Sequence, residues 1–412
     1  MKKKAILIVL DGAADRPVPS LGGKTPFERA NLPSFDRMAK EGICGIMDVI
    51  GPGIPPGSDT AQMAFLSHDP YEYYTGRGAL EALGGGINVR LGDVCFRANL
   101  ASVEKNEENK LIVTDRRAGR IISEAKEIVK VISEFKPPFD DVELELVHTT
   151  QHRCALLLRG NEITHEIVDT DPHDVNLPLH ELVAAPGNIA SERTVKIIKA
   201  YQDFIYQSLD NHPINIERRK AGKPPVNMVL FRGAALRPNL MPFDEKFGIN
   251  GGFICGNALI AGVCLSAGLK PALTDGDIDF ERKMAAAFHA LEDNDFLFFH
   301  IKETDNLSHD HKPEKIVELL EEIDEKVIKE FLLLDPASHV MAVTADHTTS
   351  SVTGEHVGDP VPVAIWGTGV RTDPVAKFDE YSCARGGLCR IKGKELIYIL
   401  MDLIDRVKKF GS

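Results

Sequence analysis

Three apolar runs, each leading into an aspartate, constrain this chain more than any other feature. Ala5-Ile-Leu-Ile-Val-Leu10 ends at Asp11-Gly12. Phe296-Leu-Phe-Phe-His-Ile301 is followed by Asp305, with His309 four residues further on. His339-Val-Met-Ala-Val-Thr344 runs into Ala345-Asp346-His347, and His356 follows nine residues later in Glu355-His356-Val-Gly-Asp-Pro-Val-Pro362. An unbroken apolar strand is expected where both faces of a parallel sheet are covered. In open sheets of that kind, sites form beyond the carboxyl ends of the strands. Three Asp and three His from distant segments are thus expected to meet in one crevice.

The rest of the chain fits this frame. The N-terminal part reads as strand 5–10, helix 33–41, strand 43–50, a Gly/Pro loop 51–57 and a helix from 59. The C-terminal part reads as helix 281–292, strand 296–301, helix 314–332, and strands 339–344 and 361–366. Alternation of strands and helices predicts an α/β fold with a doubly wound, mostly parallel sheet. The middle differs. Strands near 95–103, 111–114, 142–149, 152–159 and 165–169 surround a helix near 121–134, followed by a long helix 191–209 and a strand 227–231. Strand clusters with few crossovers predict an α+β unit. The expected division is one discontinuous domain, 1–92 with 267–412, carrying an inserted domain over 93–266.

Charge narrows the partners. The net charge of −13 comes without a basic tail or stripe. That argues against nucleic acid and against an anionic membrane surface; an anionic substrate would have to be held by a local cluster of cations or by metal. No apolar run is long enough to span a bilayer. The short run behind Met1-Lys-Lys-Lys4 is cut off by Asp11-Gly12 and reads as a strand rather than a signal peptide. Seven scattered Cys, an odd number with no Cys-x-x-Cys, read as reduced thiols in a cytoplasmic protein. Oligomeric state leaves no mark on the sequence.

Asp11, Asp305 and Asp346 each fall just past a predicted strand. A lone Asp there is ordinarily a turn or cap residue. Together, unpaired, they would repel one another and raise their own pKa values. Divalent metal is the economical compensation, with His309, His347 and His356 as further ligands. The set contains no Cys, which excludes a structural zinc finger. Mixed imidazole and carboxylate suits Mn, Zn, Fe or Co, and Mg less well. Ser58 follows Gly51-Pro-Gly-Ile-Pro-Pro-Gly57 at the start of a helix. By itself it reads as an N-cap. Beside two metals, the same hydroxyl is a nucleophile for phosphoryl transfer.

These segments together resemble the alkaline phosphatase superfamily. Tyr74-Thr-Gly-Arg-Gly78, Phe231-Arg-Gly233 and the position of the insert narrow the resemblance to the archaeal-type cofactor-independent phosphoglycerate mutases, over essentially the full length. The resemblance implies one metal on Asp305, His309 and His356, and another on Asp11, Asp346, His347 and Ser58. It implies a phosphoserine intermediate at Ser58, interconversion of 3- and 2-phosphoglycerate, and no need for 2,3-bisphosphoglycerate. Manganese is the expected metal, with Mg, Co or Zn as alternatives. The family commonly has Gly before the motif histidine and Pro after the Asp-His pair; here Ser308 and Ser350-Ser351 stand in those places. Neither departure changes a ligand.

The substrate carries a phosphate and a carboxylate, so cations are required. The candidates are His152 and Arg153, Arg232 and Arg237, and Lys302. Asp171, in Asp171-Pro-His173, resembles an insert motif that orients the glycerate hydroxyls. The insert is expected to act as a lid. Two rivals stand beside this reading: a phosphomonoesterase or phosphopentomutase of the same superfamily, and a metal-dependent binding protein without turnover. The last has no use for a serine among metal ligands.

Overall fold

The computed structural model describes residues 3–121, 123–274 and 279–411. Two compact units emerge: Met1–Tyr74 with Leu240–Ser412, and Thr75–Asn239. The first is built on an eight-stranded sheet in the order Cys389–Lys392, Ile43–Asp48, Val361–Gly367, His339–Ala345, Lys4–Leu10, Phe296–Ile301, Gly251–Ile254 and Lys270–Leu273. Val361–Gly367 pairs antiparallel on both sides, and the other pairings are parallel. This is the mostly parallel α/β architecture expected. Ala5 to Leu10 are fully buried, as a central strand covered on both faces requires.

Register positions the acids. Leu10 lies opposite Ile301 on one side and Ala345 on the other. The chain therefore leaves three adjacent strands at the same level, and Asp11, the Lys302–Asp305 segment and Asp346 emerge side by side. Ser58 reaches the same edge from the Ile43–Asp48 strand through its Gly/Pro loop.

Helices close on the sheet through capping rather than propensity alone. The helix Pro33–Glu41 begins after Leu32, which cannot cap it. Asp324 supplies the cap from afar, accepting the Ser34 and Phe35 amides at 2.9 Å. The helix expected over 314–332 changes pitch at the same residue: Pro313–Ile323 is α-helical, Asp324–Ile328 is π-helical, and Lys329–Phe331 resumes the α form.

The second unit is an antiparallel sheet. Val94–Lys105 lies at its centre and pairs with Leu111–Asp115, Arg153–Arg159 and Met228–Leu236; Glu143–Thr150 continues beyond Arg153–Arg159. One face packs Phe96, Leu156 and Phe231 against Ile128 and Ile132 of the helix Ala125–Ile132 and Ile198 and Tyr201 of Ile189–Leu209. Position 122, within the helix expected near 121–134, lies outside the described residues.

Three expectations are corrected. Helix Arg77–Gly84 belongs to the second unit because its Ala79 and Ala82 cover the sheet's other face, on Cys95, Ala155 and Leu157. The insert thus starts at 75 rather than 93. It ends at 239 rather than 266, because Gly251–Ile254 pairs with Phe296–Ile301 in the large sheet. The strand expected at 165–169 does not form; its neighbour Thr170 donates its amide to Phe231 O and accepts the Phe231 amide on its hydroxyl.

His68, in the first unit, is buried edge-on against Tyr73. Burial, reinforced by the Lys246 charge, pushes its pKa from 6.5 down to about 4. Folded His68 stays neutral where an unfolded chain takes up a proton. Its contribution to stability is therefore complete above pH 6.5 and is lost as pH falls toward 4. Between pH 7 and pH 5 the loss amounts to about 2 kcal/mol. Urea unfolding at both pH values is expected to show His68→Gln losing about that much less than the unsubstituted protein. Equal losses in the two proteins would place the acid sensitivity elsewhere.

Candidate metal centre

Three imidazoles present their Nε2 atoms to the same carboxylates. In each ring Nδ1 is already engaged: His309 with Gly354 O at 2.6 Å, His356 with Pro56 O at 2.8 Å, and His347 with Thr349 Oγ1 at 2.8 Å. Engagement of one ring nitrogen fixes the tautomer and leaves the other as a ligand. The Nε2 atoms of His309 and His356 face each other at 3.3 Å. Two donors at about 2.1 Å from one ion are separated by about 3.0–3.4 Å in octahedral or tetrahedral geometry. His347 Nε2 lies 3.2 Å from Asp11 Oδ1 and 3.5 Å from Asp346 Oδ1, while His356 Nε2 lies 3.5 Å from Asp305 Oδ1.

The ligand atoms form two overlapping groups, Asp305–His347–His356 and Asp11–Asp346–His347, each within 4.8 Å. His347 is common to both. His309 joins the first through Asp305 Oδ1 at 3.3 Å. Gly12 lines the space between them with a positive φ of 59°. A Cβ there would fall 2.7 Å from Asp305 Oδ1 and 2.6 Å from Thr349 Oγ1, so the residue must be glycine.

The charges are strained against one another. Burial pushes Asp11 up, but Lys302 at 3.1 Å, with His300 and His347, outweighs it and holds the carboxyl well below the usual range. Asp346 goes the other way: burial and the Asp11 charge push it well above. Burial also opposes ionisation of Asp305, yet the His356 bond and Lys302 bring it to about 2. His356 itself is lowered by burial and raised more strongly by Asp305, for a net upward shift. Asp11 Oδ2 has no hydrogen-bond partner among the described residues. Lys302 Nζ and His300 Nε2 lie 3.1 and 3.3 Å from it without a hydrogen bond being formed. Buried carboxylates with free lone pairs and inward-facing imidazoles fit divalent cations.

Ser58 resolves as something other than a cap. Gly57 is the N-cap and Ser58 the first helical residue of Ser58–Phe65. Its hydroxyl turns into the centre, 3.3 Å from His347 Nε2 and 3.4 Å from Asp11 Oδ1. The loop that delivers it is fastened through Pro56 O to His356.

The expected substrate residues divide. Lys302 lies among the candidate metal ligands, paired with Asp11 and Asp305. The others lie in the second unit. Arg232 stands opposite Arg97 across two strands, and its Nη1 is 3.8 Å from Asp171 Oδ2. Asp171 is buried and takes a bidentate fork from Arg116, at 2.9 and 2.7 Å. His152 is buried with Nδ1 unpartnered among the described residues, and burial beside Arg153, Arg117, Arg232 and Arg120 brings it down to about 4. Arg153 is exposed. Arg237 instead donates to Val89 O at 2.9 Å. Sequence reasoning missed Arg97 and Arg116; the one signal was the basic run Arg116-Arg-Ala-Gly-Arg120 ending a strand. It also missed His300.

Among the described residues no helix is long and apolar enough to cross a membrane. The seven cysteines are free, with Cys389 exposed and the others buried.

Known proteins resemble this chain over its length. A family profile for 2,3-bisphosphoglycerate-independent phosphoglycerate mutase matches residues 39–215. The protein of that name from Methanopyrus kandleri is 41% identical, covering 100% of this chain and 99% of the relative. The corresponding mutase 1 of Methanocaldococcus jannaschii is 40% identical, covering 100% of both chains. Among solved structures, a protein from Pyrococcus horikoshii superposes with a TM-score of 0.85 at 35% identity, covering 100% of each chain. The cofactor-independent phosphoglycerate mutase of Thermoplasma acidophilum superposes with a TM-score of 0.74 at 33% identity, covering 98% of this chain and 100% of the other.

Proposed function

The chain belongs to the 2,3-bisphosphoglycerate-independent phosphoglycerate mutases, and from that premise we propose that it isomerises 3-phosphoglycerate and 2-phosphoglycerate through a phosphorylated Ser58. The observation that carries this reading is the Ser58 hydroxyl, free of any capping role and aimed between Asp11 and His347. Asp305, His309 and His356 would hold one divalent ion, and Asp11, Asp346, His347 and Ser58 the other. Manganese suits this donor set best, with Mg, Co or Zn as alternatives. Bound there, such ions lower the serine pKa and offset charge on the phosphoryl oxygens.

Ser58 Oγ attacks phosphorus, and the bond from phosphorus to the C3 oxygen of glycerate breaks. That oxygen takes up the proton Ser58 gives up. Glycerate turns without leaving, and its C2 hydroxyl attacks the phosphoserine. The seryl oxygen then departs and regains a proton. Lys302, paired with Asp11 and Asp305, holds positive charge beside the transferred group. Arg232 and Arg153 of the second unit would supply cations for a substrate with two anionic groups. His152, kept neutral by burial and its Arg neighbours, would offer a hydrogen bond rather than a charge, and Arg116 holds Asp171 in place. Water must be kept out while phosphoserine exists.

The test is a paired measurement of 2-phosphoglycerate and inorganic phosphate from 3-phosphoglycerate, with Mn²⁺ and no bisphosphoglycerate. We expect isomer to dominate, and Arg232→Ala to isomerise more slowly with a larger share of free phosphate. Phosphate release faster than isomerisation would replace the mutase by a phosphomonoesterase. Unchanged isomerisation in both Arg153→Ala and Arg232→Ala would remove the insert cations from the reading.

A further inference from the structure

Gln62 lies one helical turn beyond Ser58 in Ser58–Phe65, on the same face. It is completely buried. Its Nε2 donates to Asp346 Oδ2 at 2.8 Å. The other oxygen of that carboxylate, Oδ1, accepts the Gly12 amide at 2.9 Å. The Gln62 amide oxygen has no partner among the described residues. A polar group buried with half its capacity unused is unfavourable, and an apolar residue of similar volume would pack here without that cost. What Gln62 provides is the bond to Asp346.

The chemistry of the donor matters as much as its position. Lysine here would neutralise Asp346 and compete with a bound cation. Glutamate would repel it. Asparagine lacks the reach from the helix. A neutral amide fixes the carboxylate's orientation and leaves its charge for a metal. Because Gln62 and Ser58 share one rigid turn, the same bond also sets the hydroxyl relative to Asp346.

We infer that Gln62 is a positioning residue for the metal centre, holding Asp346 in register with Ser58 through the bond from Gln62 Nε2 to Asp346 Oδ2. The inference rests on the two-metal reading above. It is tested with Gln62→Met and Gln62→Leu, which keep volume and remove the donor. Mn²⁺ binding to the metal-free protein is measured by titration calorimetry, and thermal unfolding is recorded without metal. Loss of a group that orients a ligand weakens metal binding by about 10- to 100-fold. We expect that loss at one of the two sites, with the metal-free variants unfolding at the same temperature as the parent or higher. Wild-type affinity in both variants would overturn the inference. So would a fall in metal-free stability alongside the loss of affinity, which marks a merely structural role. Absence of Mn²⁺ binding by the unsubstituted protein would instead overturn the two-metal reading, so the two failures are distinct.

Discussion

Ser58→Ala is expected to lower isomerisation by about four powers of ten or more, since removal of a covalent nucleophile leaves only binding and electrostatics. The fold should barely register the change. Gly57 is the N-cap, and among the described residues the Ser58 hydroxyl meets Asp11 and His347 rather than a backbone amide. Alanine is also the better helix former. The stability change should therefore stay within about 1 kcal/mol. The hydroxyl removed is the one directed at His347 and Asp11, at 3.3 and 3.4 Å. Three measurements separate the outcomes: the rate of 2-phosphoglycerate formation, thermal unfolding, and the intact mass after brief exposure to substrate. The unsubstituted enzyme should trap a fraction carrying one phosphoryl group, and Ser58→Ala none. Activity within tenfold of the parent would sink the covalent route. A rate loss with the phosphoryl group still present would move the nucleophile to another residue.

What the sequence disclosed about this centre, and what it hid, follows from how each residue does its work. The strands Lys4–Leu10, Phe296–Ile301 and His339–Ala345 were legible to within a residue, because central parallel strands are apolar along their length. The acids beyond them were legible because that edge is where sites form. Gly251–Ile254 was not. Gly-Gly-Phe-Ile is short and opens on two glycines, which are depleted in strands, and the first is set by packing: a Cβ on Gly251 would lie 2.4 Å from Leu269 Cδ2. Missing that strand misplaced the end of the insert. The 165–169 segment erred the other way, since His-Glu-Ile-Val-Asp has strand character but pairs with no strand among the described residues. Gln62, His300 and Arg116 act through contacts 284, 289 and 55 positions away in sequence. Nothing local marks such residues. Lys302 was legible as a cation, but its pairing with two carboxylates depends on register.

Chelation is expected to abolish activity completely and reversibly, with Mn²⁺ or Co²⁺ restoring it and Ca²⁺ restoring it poorly. The reason lies in the donors. Three Nε2 atoms and the carboxylates of Asp11, Asp305 and Asp346 are held together within a few ångströms. Calcium prefers six to eight oxygen ligands at about 2.3–2.6 Å, whereas borderline transition metals accept imidazole at about 2.0–2.2 Å. His309 and His356 turn imidazole nitrogens, not oxygens, toward each other and Asp305, the donor type that the borderline ions accept and calcium does not favour. Without a cation the cluster works against itself, for Asp346 is pushed above the usual carboxylate range by burial and its neighbour Asp11. Metal should therefore stabilise the fold as well as activate it, by about 2.7 kcal/mol at a hundredfold excess over the dissociation constant. His356→Ala should bind about one ion fewer, because it removes a donor facing both Asp305 and His309. Asp346→Asn should also bind fewer ions, since it takes one carboxylate charge from the Asp11–Asp346–His347 group. Elemental analysis, thermal unfolding and the mutase assay on the same preparations decide the matter. A metal-free preparation with full activity would refute the metal centre. Full stoichiometry in both variants would leave the centre standing but reassign its ligands.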